Sequence, residues 1–159
     1  MNKLYKKIID TLPHMKDTTA TSTPSLEEAV IHIEQMDLSS LKNKLCSESK
    51  LLTRTWSTAE CEVAIQYYKN FLFLNKKYLK HYPVIPPSIE IDEIWHQHIL
   101  DTRTYTTDCR KIFGHYFHHY PQFGTRGKQD SKNLNIAFEV TQTLHEIEFG
   151  NRILSLWER

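Results

Sequence analysis

The chain has only four glycines, and alternating apolar–polar runs are sparse; together these argue against an all-β fold. Its three cysteines (Cys46, Cys61 and Cys109) are odd in number and far apart, with no C-x-x-C pair. That argues against a disulfide scaffold and a four-thiolate zinc knuckle, and makes a reducing, cytoplasmic compartment the expectation. No apolar run approaches the roughly 20 residues that a membrane span needs, so no transmembrane segment is expected. The N-terminus also lacks the uninterrupted apolar core of a secretion signal. Charge of one sign is missing too. The net charge is +1 with both signs scattered, which gives no basis for a nucleic-acid partner. There is no internal repeat and no long low-complexity tract.

What is present is ordinary globular material. A chain of 159 residues, 40% apolar and a quarter charged, has room for one domain with a real core. We expect residues 25–159 to form a single helical domain. Residues 1–24 read as a short amphipathic helix, Met1 to Leu12, and a Thr/Ser-rich linker with little order of its own.

Cap signals set out the helices. Thr23-Pro24-Ser25 opens one, with Leu26, Val30, Ile33 and Met36 as its stripe. Leu38, Leu41 and Leu45 carry a second, from Leu38 to Cys46. Ser57-Thr58-Ala59-Glu60 is a capping box, preceded by Trp56 as a staple residue. The helix after it presents Ala64, Tyr67, Tyr68, Phe71 and Leu74 as core. The proline-rich run from His81 to Pro87 cannot continue a helix and should be an extended connector. A last helix is predicted from about Ser131 to Phe149, closed by Gly150, with the tail from Ile153 to Trp157 docking behind it. The fold class is therefore all-α, a compact bundle of five or six helices around one long central helix.

That central helix is the informative stretch. It starts at the cap Ser88 and runs about seven turns to the stop at Gly114, with a kink tolerated among the threonines. Ile91, Ile94, Trp95, Thr102, Tyr105, Cys109 and Ile112 form its stripe. Five of the nine histidines fall here or just after it: His96, His98, His115, His118 and His119. On a strand, His96 and His98 would chelate one ion. On a helix they point roughly 200° apart and must serve different environments.

His96 lies one turn after Asp92, on the same face. The functional reading is a two-ligand seat for a divalent transition metal, zinc foremost; the structural one is an Asp–His pair supporting the helix. His98 falls within the apolar stripe, as a core residue donating to Asp101 or a backbone carbonyl, or as a buried ligand. Cys109 would lie about 16 Å beyond His98 on an unbroken helix, too far to share a metal with it. It reads as a buried small hydrophobe, with a thiol nucleophile paired with His118 or His119 as the alternative. The aromatic loop after Gly114 brings His118 and His119. Five or six extended residues reach about 17–20 Å, enough to fold back beside His96.

The run Ile91-Asp92-Glu93-Ile94-Trp95-His96-Gln97-His98-Ile99-Leu100-Asp101-Thr102, then Tyr105, Asp108-Cys109, Phe113-Gly114 and His118 to Gly124, resembles the glycine-rich domain-containing protein-like family. The similarity covers about Leu38 to Gly124, including Trp56 to Glu60 and Tyr68 to Leu72. The resemblance implies that Asp92, Trp95, His96, His98, Tyr105, Asp108 and Cys109 share one motif, without saying which is ligand and which is core. The glycine-rich region of larger members is lacking here.

The leading expectation is a metal-binding helical domain with Asp92, His96, His118 and His119 as ligands. Trp95, His98, Asp101, Tyr105, Asp108 and Cys109 would form the buried surround. The competing classes are a protein-interaction module, whose histidines and aromatics only lock the loop, and a cysteine enzyme built on Cys109. No Glu stands beside the histidines in a zincin-like pattern, so no hydrolytic reaction is assigned.

Overall fold

The computed structural model describes residues 8, 22–48, 52, 54–82 and 84–157. The expected helix from Met1 to Leu12 lies outside these except for Ile8, which is helical and buried, and the linker lies outside except for residues 22–24. Besides Ile8, the described residues form six helices and no strand: α1 Leu26–Gln35, α2 Ser39–Cys46, α3 Thr58–Tyr78, α4 Ile89–Leu100, α5 Thr102–Phe113 and α6 Lys128–Phe149. No helix among them is long and apolar enough to cross a membrane.

Local chemistry explains most boundaries. Ser25 and Ser57 each close a full capping box, with Glu28 and Glu60 reaching back to the cap backbone. Each reciprocal pair satisfies two backbone N–H groups that the first turn leaves without partners. Gly114 and Gly150 take positive φ, at 80° and 79°, and stop α5 and α6 in left-handed caps. The last helix begins at Lys128, earlier than Ser131, because the Asp130 carboxylate accepts from the Gly124 and Arg126 backbone N–H groups and orders the entry.

The long helix expected from Ser88 to Gly114 is two helices. Asp101 leaves the helical region (φ −82°, ψ 72°) and restarts the chain by accepting a hydrogen bond from Thr104 N at 3.4 Å. An aspartate in this role competes with the helix for backbone donors and wins when a second helix can begin at once. The break lets α5 fold back against α4.

The main core lies among α1 to α5. Tyr68 and Phe71 of α3, Ile91, Ile94 and Trp95 of α4, and Tyr105, Cys109, Ile112 and Phe113 of α5 are its centre. A smaller cluster, Leu74, Ile85 and Leu144, joins α3 to α6. The tail docks as expected. Gln142 bonds Ile153 through both backbone groups, and the buried Glu90 accepts from Ser155 and Leu156. Leu26 departs from the expected stripe of α1: it is exposed, whereas Ala29, Ile33 and Met36 are buried.

Candidate metal centre

His96 and His98 face opposite ways, as helical geometry requires, and each belongs to its own polar cluster. On the outer side of α4, His119 Nε2 donates to Asp92 Oδ1 at 2.6 Å and lies 3.0 Å from His96 Nε2. His96 Nε2 is 3.4 Å from the second Asp92 oxygen. One ligand atom from each of the three residues can be chosen so that all lie within 4.8 Å of one another. Tetrahedral zinc with bonds near 2.05 Å sets its ligand atoms about 3.3 Å apart. The contacts here, 2.6 to 3.4 Å and shared between both Asp92 oxygens, are of that order, so an ion would take the place of the shared proton with the three side chains re-spaced around it. The cluster opens to solvent, with side-chain exposures of 47% for His96, 34% for Asp92 and 11% for His119.

Only one of the two loop histidines reaches this cluster. His118 is exposed and packs its ring against Tyr116, 4.8 Å between centroids. His119 is carried inward because the loop is held down two residues earlier. The Phe117 ring stacks on Trp95 (5.0 Å, 16°) and on Phe113 (4.5 Å, 29°). Trp95 Nε1 donates to the Tyr105 hydroxyl at 2.8 Å, and that hydroxyl donates to the Phe117 carbonyl. The Trp95 ring also packs against His119 at 4.3 Å.

On the inner side of α4, His98 is buried between Tyr68 and Asp108. Its Nε2–H donates to Asp108 Oδ2 at 2.9 Å, which leaves Nδ1 to accept from the Tyr68 hydroxyl at 2.7 Å. The other Asp108 oxygen accepts from His32 Nε2 of α1 at 2.7 Å. Burial alone would raise the Asp108 pKa, but the hydrogen bonds from His98 and His32 outweigh it and hold the carboxyl below its usual range. The partner of His98 is thus Asp108 rather than Asp101, which is exposed and spends its carboxylate capping α5. On a continuous helix, residues 98 and 108 would stand about 15 Å apart. The break at Asp101 is what makes them neighbours.

His32 was not singled out as a site residue from sequence. Its only local signal is a histidine set between Ala29, Ile33 and Met36 on an otherwise apolar face. Tyr68 is the core residue the pattern predicts, and its buried hydroxyl donates to the His98 nitrogen that the bond to Asp108 leaves as acceptor. Cys109 is 2% exposed, with the Tyr105 hydroxyl and the Phe117 backbone beside it. Burial pushes its thiol up to about 11, so little thiolate exists near neutral pH.

Fold and site together define an all-α domain in which a helix and a returning loop bring one aspartate and two histidines to a common point. The chain belongs to the UCP032817-like family, which matches residues 29–151. It is 36% identical over 93 residues to glycine-rich domain-containing protein 1 of Arabidopsis thaliana, and 34% identical over 93 residues to glycine-rich domain-containing protein 2 of the same plant. Each alignment covers 56% of this chain, and the chain spans about a tenth of the length of those relatives, 11% in each case. No solved structure matches the chain.

Proposed function

We propose that Asp92, His96 and His119 bind a divalent transition metal, zinc foremost. The observation that carries this reading is the convergence of one carboxylate oxygen and two imidazole nitrogens, two from α4 and one from the loop, within 4.8 Å. Borderline metals favour imidazole with carboxylate, and three protein ligands leave a fourth tetrahedral position for water or a donor from outside. Bound metal would bridge α4 and the loop. It acts first as a clasp, and the fold holds the loop ready for it. His118 stands outside this ligand set.

Elemental analysis and zinc titration of the full chain test the reading. Wild type is expected to hold one equivalent, with His96→Ala and His119→Ala each losing it and His118→Ala keeping it. Absence of stoichiometric binding at any pH above 7 refutes it.

A second reading has its own support. The Asp92–His119 hydrogen bond and the Trp95–Phe117 stack already join loop to helix, as an interaction module with a purely structural cluster would require. Ile89 and Leu100, 71% and 67% exposed, lie on α4 with His96 and give such a module apolar surface. Under this reading His96→Ala changes no metal content.

A further inference from the structure

We propose that Tyr105 is the positioning residue of the Asp92–His96–His119 cluster, its hydroxyl setting the register of the loop against α4. The inference rests on the metal-binding reading above. Besides the direct Asp92–His119 bond, one buried oxygen ties a side chain of α4 to the backbone of the loop. It accepts from Trp95 Nε1, on the residue before His96, and donates to the carbonyl of Phe117, two residues before His119. Tyr105 is 1% exposed, so water has little access to stand in for that hydroxyl.

The aromatic contacts around it cannot do the same work. Stacking of Phe117 on Trp95 and Phe113 holds the loop down, but offset stacking tolerates sliding of the rings. A hydrogen bond is directional and weakens steeply when its angle is lost. Without the hydroxyl, the indole N–H and the Phe117 carbonyl lose the partner that joins them, and the loop must shift to find them others. Metal ligands tolerate little displacement, about 0.2 Å in bond length. A shift of the segment two residues from His119 therefore reads out as metal affinity.

The fold supplies a matched control. Tyr68 is equally buried, at 0% exposure, and its hydroxyl also bonds a side chain of α4, that of His98. That bond lies on the inner face and does not involve the loop. Tyr68→Phe thus removes the same group from the same kind of site without touching the path to His119.

The test is cobalt(II) titration of the full chain, following the visible bands of bound cobalt in wild type, Tyr105→Phe, Tyr68→Phe and Trp95→Phe. Tyr105→Phe should bind about 10–100-fold more weakly, the range for losing a group that orients a ligand, with altered band shape. Tyr68→Phe should stay within about twofold of wild type with unchanged bands, even where it lowers stability; this window is narrower than any effect of losing an orienting group. Trp95→Phe keeps the bond from Tyr105 to Phe117 and should weaken binding less than Tyr105→Phe does. Equal affinity of Tyr105→Phe and wild type, or equal losses in the two tyrosine variants, overturns the proposal. If Tyr105→Phe does not fold, Trp95→Phe decides: wild-type affinity and bands there overturn it. Failure of wild type to bind cobalt or zinc refutes the metal reading itself, and is seen in the wild-type arm alone.

Discussion

Replacing Asp108 by Asn removes one acceptor from a carboxylate that serves two imidazoles. In the wild type, His32 and His98 each donate to a separate Asp108 oxygen, at 2.7 and 2.9 Å. Hydrogen bonds to a charged partner contribute about 1.5–3 kcal/mol each. Asn keeps one carbonyl oxygen and turns an NH2 toward the other imidazole N–H, setting donor against donor. His98 can escape only by switching tautomer, which leaves the buried Tyr68 proton without its acceptor. One bond lost and one donor stranded give a destabilisation of about 2–4 kcal/mol, or roughly 5–15 °C in Tm for a chain of this size.

The pH dependence has a definite sign. The Asp108 carboxyl is held below its ordinary value in the folded state, because the two imidazole bonds outweigh burial. Its contribution is therefore fully present above the unfolded carboxylate pKa, near 3.9, and lost as pH falls through the lower folded value. The Asn variant has no such group. The carboxylate's share of the gap between the two proteins should be lost only below about pH 4, where the wild-type carboxyl protonates. Urea unfolding of both across this range and up to pH 7 is the assay. A gap under about 0.5 kcal/mol at pH 7, the size of an ordinary surface substitution, refutes the reasoning. So does a gap that stays constant down to pH 3.

Two further outcomes follow from burial and backbone geometry. A Cβ at Gly114 would sit 2.2 Å from the Ser22 carbonyl oxygen, whereas one at Gly150 meets nothing within 4 Å. Both glycines have left-handed φ, so Ala at either costs about 1–2 kcal/mol, and Gly114→Ala should cost clearly more because backbone must move; equal Tm losses would refute the close approach. With a mild alkylating agent at pH 8, Cys46 should label first in the native protein. Cys61 and Cys109, buried with thiols pushed up to about 12 and about 11, should label only after denaturation, as followed by mass spectrometry. Rapid native labelling of Cys109 would favour the cysteine-enzyme alternative.

Much of the fold was legible because its helices are marked by local chemistry. Ser25, Ser57 and Ser88 sit where a side-chain oxygen can reach the third backbone N–H, and Gly114 and Gly150 sit where a left-handed residue must end a turn. The break at Asp101 was harder to see. Its cap uses an aspartate inside a continuous apolar stripe, and the stripe predicts one helix as well as two. The loop histidines could be placed within reach of His96 by chain length alone, but not told apart.

The residue order alone determined that this chain is helical, that Asp92 and His96 share a face, and that His96 and His98 point apart, since backbone periodicity sets each of these. Tertiary structure decided which groups meet across the chain. His119 rather than His118 joins the cluster because the loop is pinned at Phe117 by Trp95 and Tyr105. Asp108 gathers His98 and His32 because the chain reverses at Asp101 and α1 packs against α5. Such contacts depend on how separate helices dock, and docking is a property of whole surfaces that no short stretch of sequence encodes.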